Sequence, residues 1–114
     1  MPYTEPYDAL DEKTRDISRA ITSLKEEIEA VNWYNQRVNT TTDPELKAIM
    51  AHNRDEEIEH AAMTIEWLRR NMDTWDEELR TYLFTSGSIT SLEEGESEPT
   101  AAGGSSLGIG NLKK

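Results

Sequence analysis

The sequence predicts an all-α fold: an antiparallel two-helix hairpin with a short third helix, closed into a four-helix bundle by a second copy of the chain and followed by a disordered C-terminal tail. Three observations carry this reading. Apolar residues recur at steps of three and four along two long stretches, and nowhere do they alternate as a strand requires. Glycine is absent from residues 1–86, whereas five of the six glycines lie beyond Ser91, so the passage from helix to tail is visible in composition. Finally, 114 residues that are 35 % hydrophobic and 31 % charged fill only a small core, and a partner that lends apolar surface makes up the shortfall.

Residues 8–38 carry Leu10, Ile17, Ile21, Leu24, Ile28 and Val31 on one stripe, with steps of 4, 3, 4 and 3 after Ile17, as in a long amphipathic helix. Asn39-Thr40-Thr41-Thr42-Asp43-Pro44 breaks it. The Asp43 side chain is suited to accept a hydrogen bond at the next N-terminus, and Pro44 suits a first helical position that needs no N–H partner. A second helix is therefore expected from Pro44 to about Asn71. Asp73, with Asp76 and Glu77 behind it, marks another start, and Trp75, Leu79, Tyr82 and Leu83 give a short third helix its apolar stripe, ending near Thr85. The short connection between the long helices favours an antiparallel hairpin, each arm about 40 Å long. The expected organisation is a helical domain over residues 1–86, a Gly-, Ser- and Glu-rich flexible linker over 87–105 and a terminal peptide over 106–114.

Charge and composition narrow the chemistry. Twelve Lys and Arg against 23 Asp and Glu give a net charge of −11, which disfavours nucleic acid and attracts cations. With no cysteine, a metal would be held by carboxylate, imidazole or water. No apolar run approaches the roughly 20 residues of a membrane span, and Met1-Pro2-Tyr3-Thr4-Glu5 lacks the basic and apolar parts of a signal peptide. A cytoplasmic protein without membrane contact is expected.

On the second helix Glu57 and His60 fall in the middle of the arc that holds Leu46, Ile49, Met50, Ala61, Trp67 and Leu68. Polar groups on an inward arc need partners. The spacing Glu57-Ile58-Glu59-His60 is Glu-x-x-His, in which both side chains point the same way and can grip one metal; an internal Glu–His hydrogen bond or a solvated face is the competing account. Glu27 lies on the flank of the first helix's apolar stripe, between Leu24 and Val31, with Tyr34 further along the same flank. Carboxylate-bridged di-iron bundles need one Glu from each of two helices and a Glu-x-x-His from each of two others. This chain carries half of that set, Glu27 with Glu57 and His60, and a second copy across a two-fold axis supplies the other half while covering the open face of the hairpin. Two irons per dimer interface suit such oxygen-rich ligands, with Mn or Zn as substitutes.

Weaker signals remain. Glu26, Glu29 and Trp33 lie on the opposite side of the first helix, as an acidic access patch for cations or as plain solvated surface. Ala51, Ile58, Ala62 and Ile65 make a second apolar stripe on the second helix, implying assembly beyond a dimer or a seat for the third helix. His52 reads as surface, and in Asp55-Glu56-Glu57 only Glu57 faces inward.

Three segments resemble the encapsulated ferritins: Glu26-Glu27-Ile28-Glu29-Ala30-Val31-Asn32-Trp33-Tyr34, the stretch from Asp43-Pro44-Glu45-Leu46 to Glu59-His60-Ala61-Ala62-Met63, and Glu66-Trp67-Leu68-Arg69-Arg70. The resemblance covers residues 10–84. It implies a ferritin-like bundle assembled as dimers in a larger ring, with a ferroxidase centre shared by two chains that oxidises Fe(II). On matching positions the iron ligands are Glu27, Glu57 and His60, with Tyr34 close by in the catalytic centre; Glu26 and Glu29 match the family's metal-access carboxylates, and Trp33 their neighbouring aromatic. Separately, Ser106-Leu107-Gly108-Ile109-Gly110-Asn111-Leu112-Lys113-Lys114 is similar to the peptide that loads cargo into encapsulin shells, with Asn111 where Ser is frequent. Leu107, Ile109 and Leu112 are its apolar anchors. The implied function is iron oxidation for mineral storage inside an encapsulin nanocompartment; a rubrerythrin-like di-iron peroxidase or oxidase, and a non-enzymatic helical module with a structural metal, are the alternatives.

Overall fold

Two long helices account for most of the computed structural model, which describes residues 3–95. The rest of the 87–105 linker and the whole 106–114 peptide, with Leu107, Ile109 and Leu112, lie outside the described residues. A 3₁₀ turn at Tyr7–Ala9 precedes α1 (Glu12–Thr40), α2 (Pro44–Asn71), α3 (Asp73–Tyr82) and α4 (Ile89–Leu92). No strand occurs among the described residues.

α1 starts at Glu12 rather than at residue 8, because Leu10 is extended (φ −90°, ψ 139°) and Asp11 caps the helix by accepting from the Thr14 N–H at 2.8 Å. That bond holds the Asp11 carboxyl below its ordinary pKa. Arg15 fastens the leading segment to the helix: its Nη2 donates to the Tyr7 carbonyl at 2.7 Å, and its guanidinium lies 3.9 Å from the centre of the Tyr7 ring. At the hairpin the expected cap forms, with the Leu46 N–H donating to Asp43 Oδ2 at 3.1 Å. α2 closes on a carboxylate clamped by two guanidinium groups. Arg69 Nε lies 2.8 Å and Arg70 Nε 2.7 Å from the Glu66 carboxylate, and these bonds, Arg69's first, pull its pKa down to about 2.

Two cross-links fix how α1 and α2 run. Thr64 Oγ1 donates to Glu27 Oε1 at 3.1 Å, and Arg54 Nη1 donates to Asn35 Oδ1 at 3.0 Å. Numbers rise on one helix as they fall on the other, so the hairpin is antiparallel as predicted. The shielded edge of α1 is Ile17, Ala20, Leu24, Glu27, Val31, Tyr34 and Val38; that of α2 is Met50, Arg54, Glu57, Ala61, Thr64, Leu68 and Asn71. Both advance by alternating threes and fours, the 3.5-residue repeat of helices that pack along their length. Leu24, Ala61 and Leu68 are the buried residues of these two helices, Leu68 at 0 % exposure.

Ile21 and Ile28, on the apolar stripe of α1, are exposed in the single hairpin, Ile28 at 53 %, on the face it leaves open, whereas Glu27 occupies the shielded position beside Ile28. A 3.5-residue seam through Ala20 and Leu24 reaches Glu27 next, which moves Ile21 and Ile28 to its flank.

The helical part divides into two compact units, one ending at Asn71 and one beginning at Met72, where residues 1–86 were expected as one domain. Met72, extended at φ −141° and ψ 116°, separates them. In the second unit α3 ends at Tyr82 rather than near Thr85, since Leu83 is extended (φ −79°, ψ 147°) and Phe84 takes the left-handed value φ 60°. Gly87, at φ 87°, uses the freedom of a residue without Cβ to turn the chain into α4. Ser88 caps that turn by accepting from the Ser91 N–H at 3.3 Å, and Leu92 is buried at 7 % exposure. The start of the expected 87–105 linker is thus structured: a capped turn with one apolar anchor suffices where composition alone reads as tether.

Candidate metal centre

Glu57 and His60 share one side of α2, as their spacing requires. His60 Nδ1 lies 3.6 Å from Glu57 Oε1, and its Nε2 lies 3.8 Å from Glu56 Oε1. Both distances exceed hydrogen-bond length, so the internal Glu–His hydrogen bond weighed above is not formed. The imidazole instead stands between two carboxylates, each within ion-pair reach of one of its nitrogens when it is protonated. The side chains are 28 % exposed for Glu57 and 43 % for His60, shielded by the hairpin on one side and open on the other.

Glu27 sits on the shielded edge of α1, where its Oε1 accepts from Thr64. Arg19, which lines the same groove, is paired with Asp16 at 2.5 Å and Glu12 at 3.7 Å. The surrounding groove, about 370 Å³, is lined by Arg19, Ser23, Met63, Thr64 and Trp67 along with Glu27.

The cross-links also set levels along the hairpin. Glu27 is level with Thr64 and Asn35 with Arg54, which puts Tyr34 near the level of Glu57. Seven residues separate Thr64 from Glu57, so Glu27 and Glu57 of one chain stand roughly 10 Å apart along the axis, with His60 between. One chain therefore does not gather the three: among the described residues no three His, Asp or Glu side chains converge on a metal-sized point.

Tyr34 is half-buried, with the Arg37 guanidinium 5.2 Å from its ring centre. Glu26, Glu29 and Trp33 are exposed on the outer side of α1, Trp33 at 49 %.

His52 is on the surface as expected, its side chain 71 % exposed, but Glu56 was missed as a neighbour of the site. Glu56 Oε2 lies 3.7 Å from His52 Nε2 while its Oε1 faces His60. The signal was the spacing of His52, Glu56 and His60 at successive steps of four, which stacks them on one helix face.

The EncFtn-like family matches residues 2–86. The chain is 57 % identical over 120 residues to the encapsulated ferritin-like protein of Rhodospirillum rubrum, covering 96 % of this chain and 86 % of that one. It is 59 % identical over 110 residues to a ferritin-like protein of Thermotoga maritima, covering 96 % of each. The encapsulin nanocompartment cargo protein EncC of Myxococcus xanthus is 34 % identical over 74 residues, 61 % of this chain and 57 % of that one. Among solved structures, protein ne0167 from Nitrosomonas europaea superposes with a TM-score of 0.75 at 60 % identity, covering 78 % of this chain and 99 % of that chain.

Proposed function

The chain belongs to the EncFtn-like family, and from that membership and the placement of its carboxylates we propose that it is an encapsulin cargo ferroxidase. Its substrate is Fe(II), bound by Glu27, Glu57 and His60 from each of two copies. One observation carries the proposal: Glu27 and the Glu57–His60 pair stand on the shielded edges of the hairpin but at different levels. A two-fold axis crossing the hairpin halfway between those levels, near His60, brings Glu27 of one copy level with Glu57 of the other. The spacing that leaves one chain incomplete is the spacing a two-fold dimer completes.

The donor set fits the substrate. Each half supplies two carboxylates and one imidazole, borderline-to-hard donors suited to Fe(II) and, once an electron is lost, to Fe(III). Two Fe(II) ions give up one electron each, which with two protons from solvent reduces dioxygen to hydrogen peroxide, or hydrogen peroxide to two waters, while the carboxylates offset the higher charge of Fe(III). Tyr34, near the level of Glu57, brings a phenol to the same region. Glu26, Glu29 and Trp33 form an access patch on the outer face, where the −11 net charge raises the local concentration of cations. Dimers extend into a ring through the second stripe on α2, of which Ile58 and Ala62 are exposed and Ala51 and Ile65 half-buried. Leu107, Ile109 and Leu112 dock on an encapsulin shell, so that iron is delivered for storage inside the compartment.

Single-turnover oxidation of stoichiometric Fe(II), followed by absorbance, tests this reading. The wild type should show a fast phase that Glu57→Ala abolishes. A wild type without that phase would leave a structural metal or a simple packing role for these residues.

A further inference from the structure

Thr64 stands on the shielded edge of α2 opposite Glu27, and its hydroxyl has more acceptors than protons. A helical threonine commonly donates to the carbonyl four residues back, and the His60 carbonyl is there at 3.0 Å. The Glu27 carboxylate offers a second acceptor across the helix interface at 3.1 Å. A hydroxyl carries a single proton. The carbonyl is neutral and already receives a backbone N–H in the helix, whereas the carboxylate is charged and makes the stronger bond. Both acceptors are within reach of the hydroxyl, and charge favours donation to Glu27.

We propose that Thr64 is a positioning residue for Glu27, holding one carboxylate oxygen in place before a divalent cation binds and turning its proton to the His60 carbonyl when the cation takes that oxygen. This rests on the ferroxidase reading, since it requires Glu27 to be a ligand. Two consequences distinguish such a hydroxyl from a fixed donor. Glu27 is aimed in advance, so less side-chain freedom is lost when the cation arrives. The donor is also never stranded, because its alternative acceptor lies within reach on its own helix. The alternative acceptor belongs to His60, so the same hydroxyl ties the carboxylate of α1 to the backbone turn that carries the imidazole.

The test compares the full chain with Thr64→Val, Thr64→Ala and Thr64→Ser, using Co(II) as the probe in calorimetric titrations. The two variants without a hydroxyl should bind Co(II) about tenfold more weakly, the usual scale for losing a group that orients a metal ligand, and Thr64→Ser should restore binding to within about twofold. The Fe(II) concentration for half-maximal oxidation should rise by the same factor, with a much smaller change in the saturating rate. A purely structural role would lower the Tm of Thr64→Val and leave Co(II) affinity alone. Wild-type affinity in both Thr64→Val and Thr64→Ala, or a Thr64→Ser variant as weak as they are, overturns the proposal. Glu27→Gln separates it from the ferroxidase reading: if that variant binds Co(II) normally, Glu27 is not a ligand and both fall; if it loses Co(II) while the hydroxyl-free variants keep it, only the role of Thr64 falls.

Discussion

The two grooves that flank the hairpin are made by the same pair of helices and handle charge in opposite ways. On one side Arg54 reaches across to Asn35 at 3.0 Å, and Asp55 lies 3.1 Å from the same guanidinium. Ile28, Val31 and Ile58 line the rest of that groove. Its cation and anion are matched within the chain. On the other side the crossing bond runs from the neutral Thr64 hydroxyl to the Glu27 carboxylate, and the neighbouring Arg19 is engaged by Asp16 and Glu12. A hydroxyl orients a carboxylate without cancelling its charge. One groove thus pairs its cation and anion within the chain, whereas the carboxylate of the other is met by a neutral donor.

The largest expected effect is on assembly. Bringing Glu27 and Glu57 of two copies together places four carboxylates at one interface, where repulsion opposes association. Two Fe(II) ions contribute four positive charges, and an ion bound by the dimer alone draws the equilibrium toward it. At 100 times its dissociation constant, one such site is worth about 2.7 kcal/mol, a roughly hundredfold shift. Sedimentation at micromolar protein should show monomer passing to dimer and larger species as Fe(II) or Zn(II) is added, with no response in Glu57→Ala. An assembly state indifferent to metal, chelator and this substitution would mean that apolar burial by residues such as Ile21 and Trp67 holds the copies together.

Next in size is the effect of emptying each groove in turn. Glu27→Ala, Glu57→Ala and His60→Ala should each slow Fe(II) oxidation about tenfold or more, since a missing ligand leaves an open and misplaced site. Arg54→Ala removes a cross-helix bond of similar length and should lower stability by about 1 kcal/mol while leaving the initial oxidation rate within about twofold. If Arg54→Ala costs as much turnover as Glu27→Ala, the division of labour between the grooves is wrong.

Much of this arrangement is legible in the sequence, and the part that is not has a physical cause. The Asp43–Pro44 helix start depends on local hydrogen bonding and backbone geometry, so it could be read directly, as could the Glu-x-x-His spacing of Glu57 and His60. The inward edge of α1 could not. Hydropathy follows Ile21 and Ile28, but in one chain the closest approach to α2 runs through Ala20, Leu24 and Glu27, and only the cross-links at Thr64 and Arg54 reveal that register. α4 was hidden for a different reason: Ser88 and Gly87 resemble tether residues, and their capping and turning roles appear only once Leu92 has a buried place. Thr64 carried no signal of its own, because its partner lies 37 residues away.

The smallest effect compares two carboxylates, Glu27 and Glu66. Glu66 is already held by Arg69 and Arg70, and these bonds depress its pKa from the ordinary 4.5 to about 2. A carboxylate whose folded pKa lies below its unfolded value contributes stability that is fully present above about pH 4.5 and is lost as the pH falls toward 2. The Glu66 side chain is 42 % exposed, so the contribution is small and weakened by salt. Glu66→Gln should therefore be slightly less stable than the wild type at pH 6 in low salt, with the difference shrinking through pH 4 to nothing near pH 2, as followed by helical circular dichroism. The same variant should bind Co(II) normally, because a carboxylate satisfied by two guanidinium groups has little charge left to offer a cation. Loss of Co(II) binding in Glu66→Gln would show that neutralisation within the chain does not decide which carboxylates take metal, and the distinction drawn between the two grooves would lose its basis.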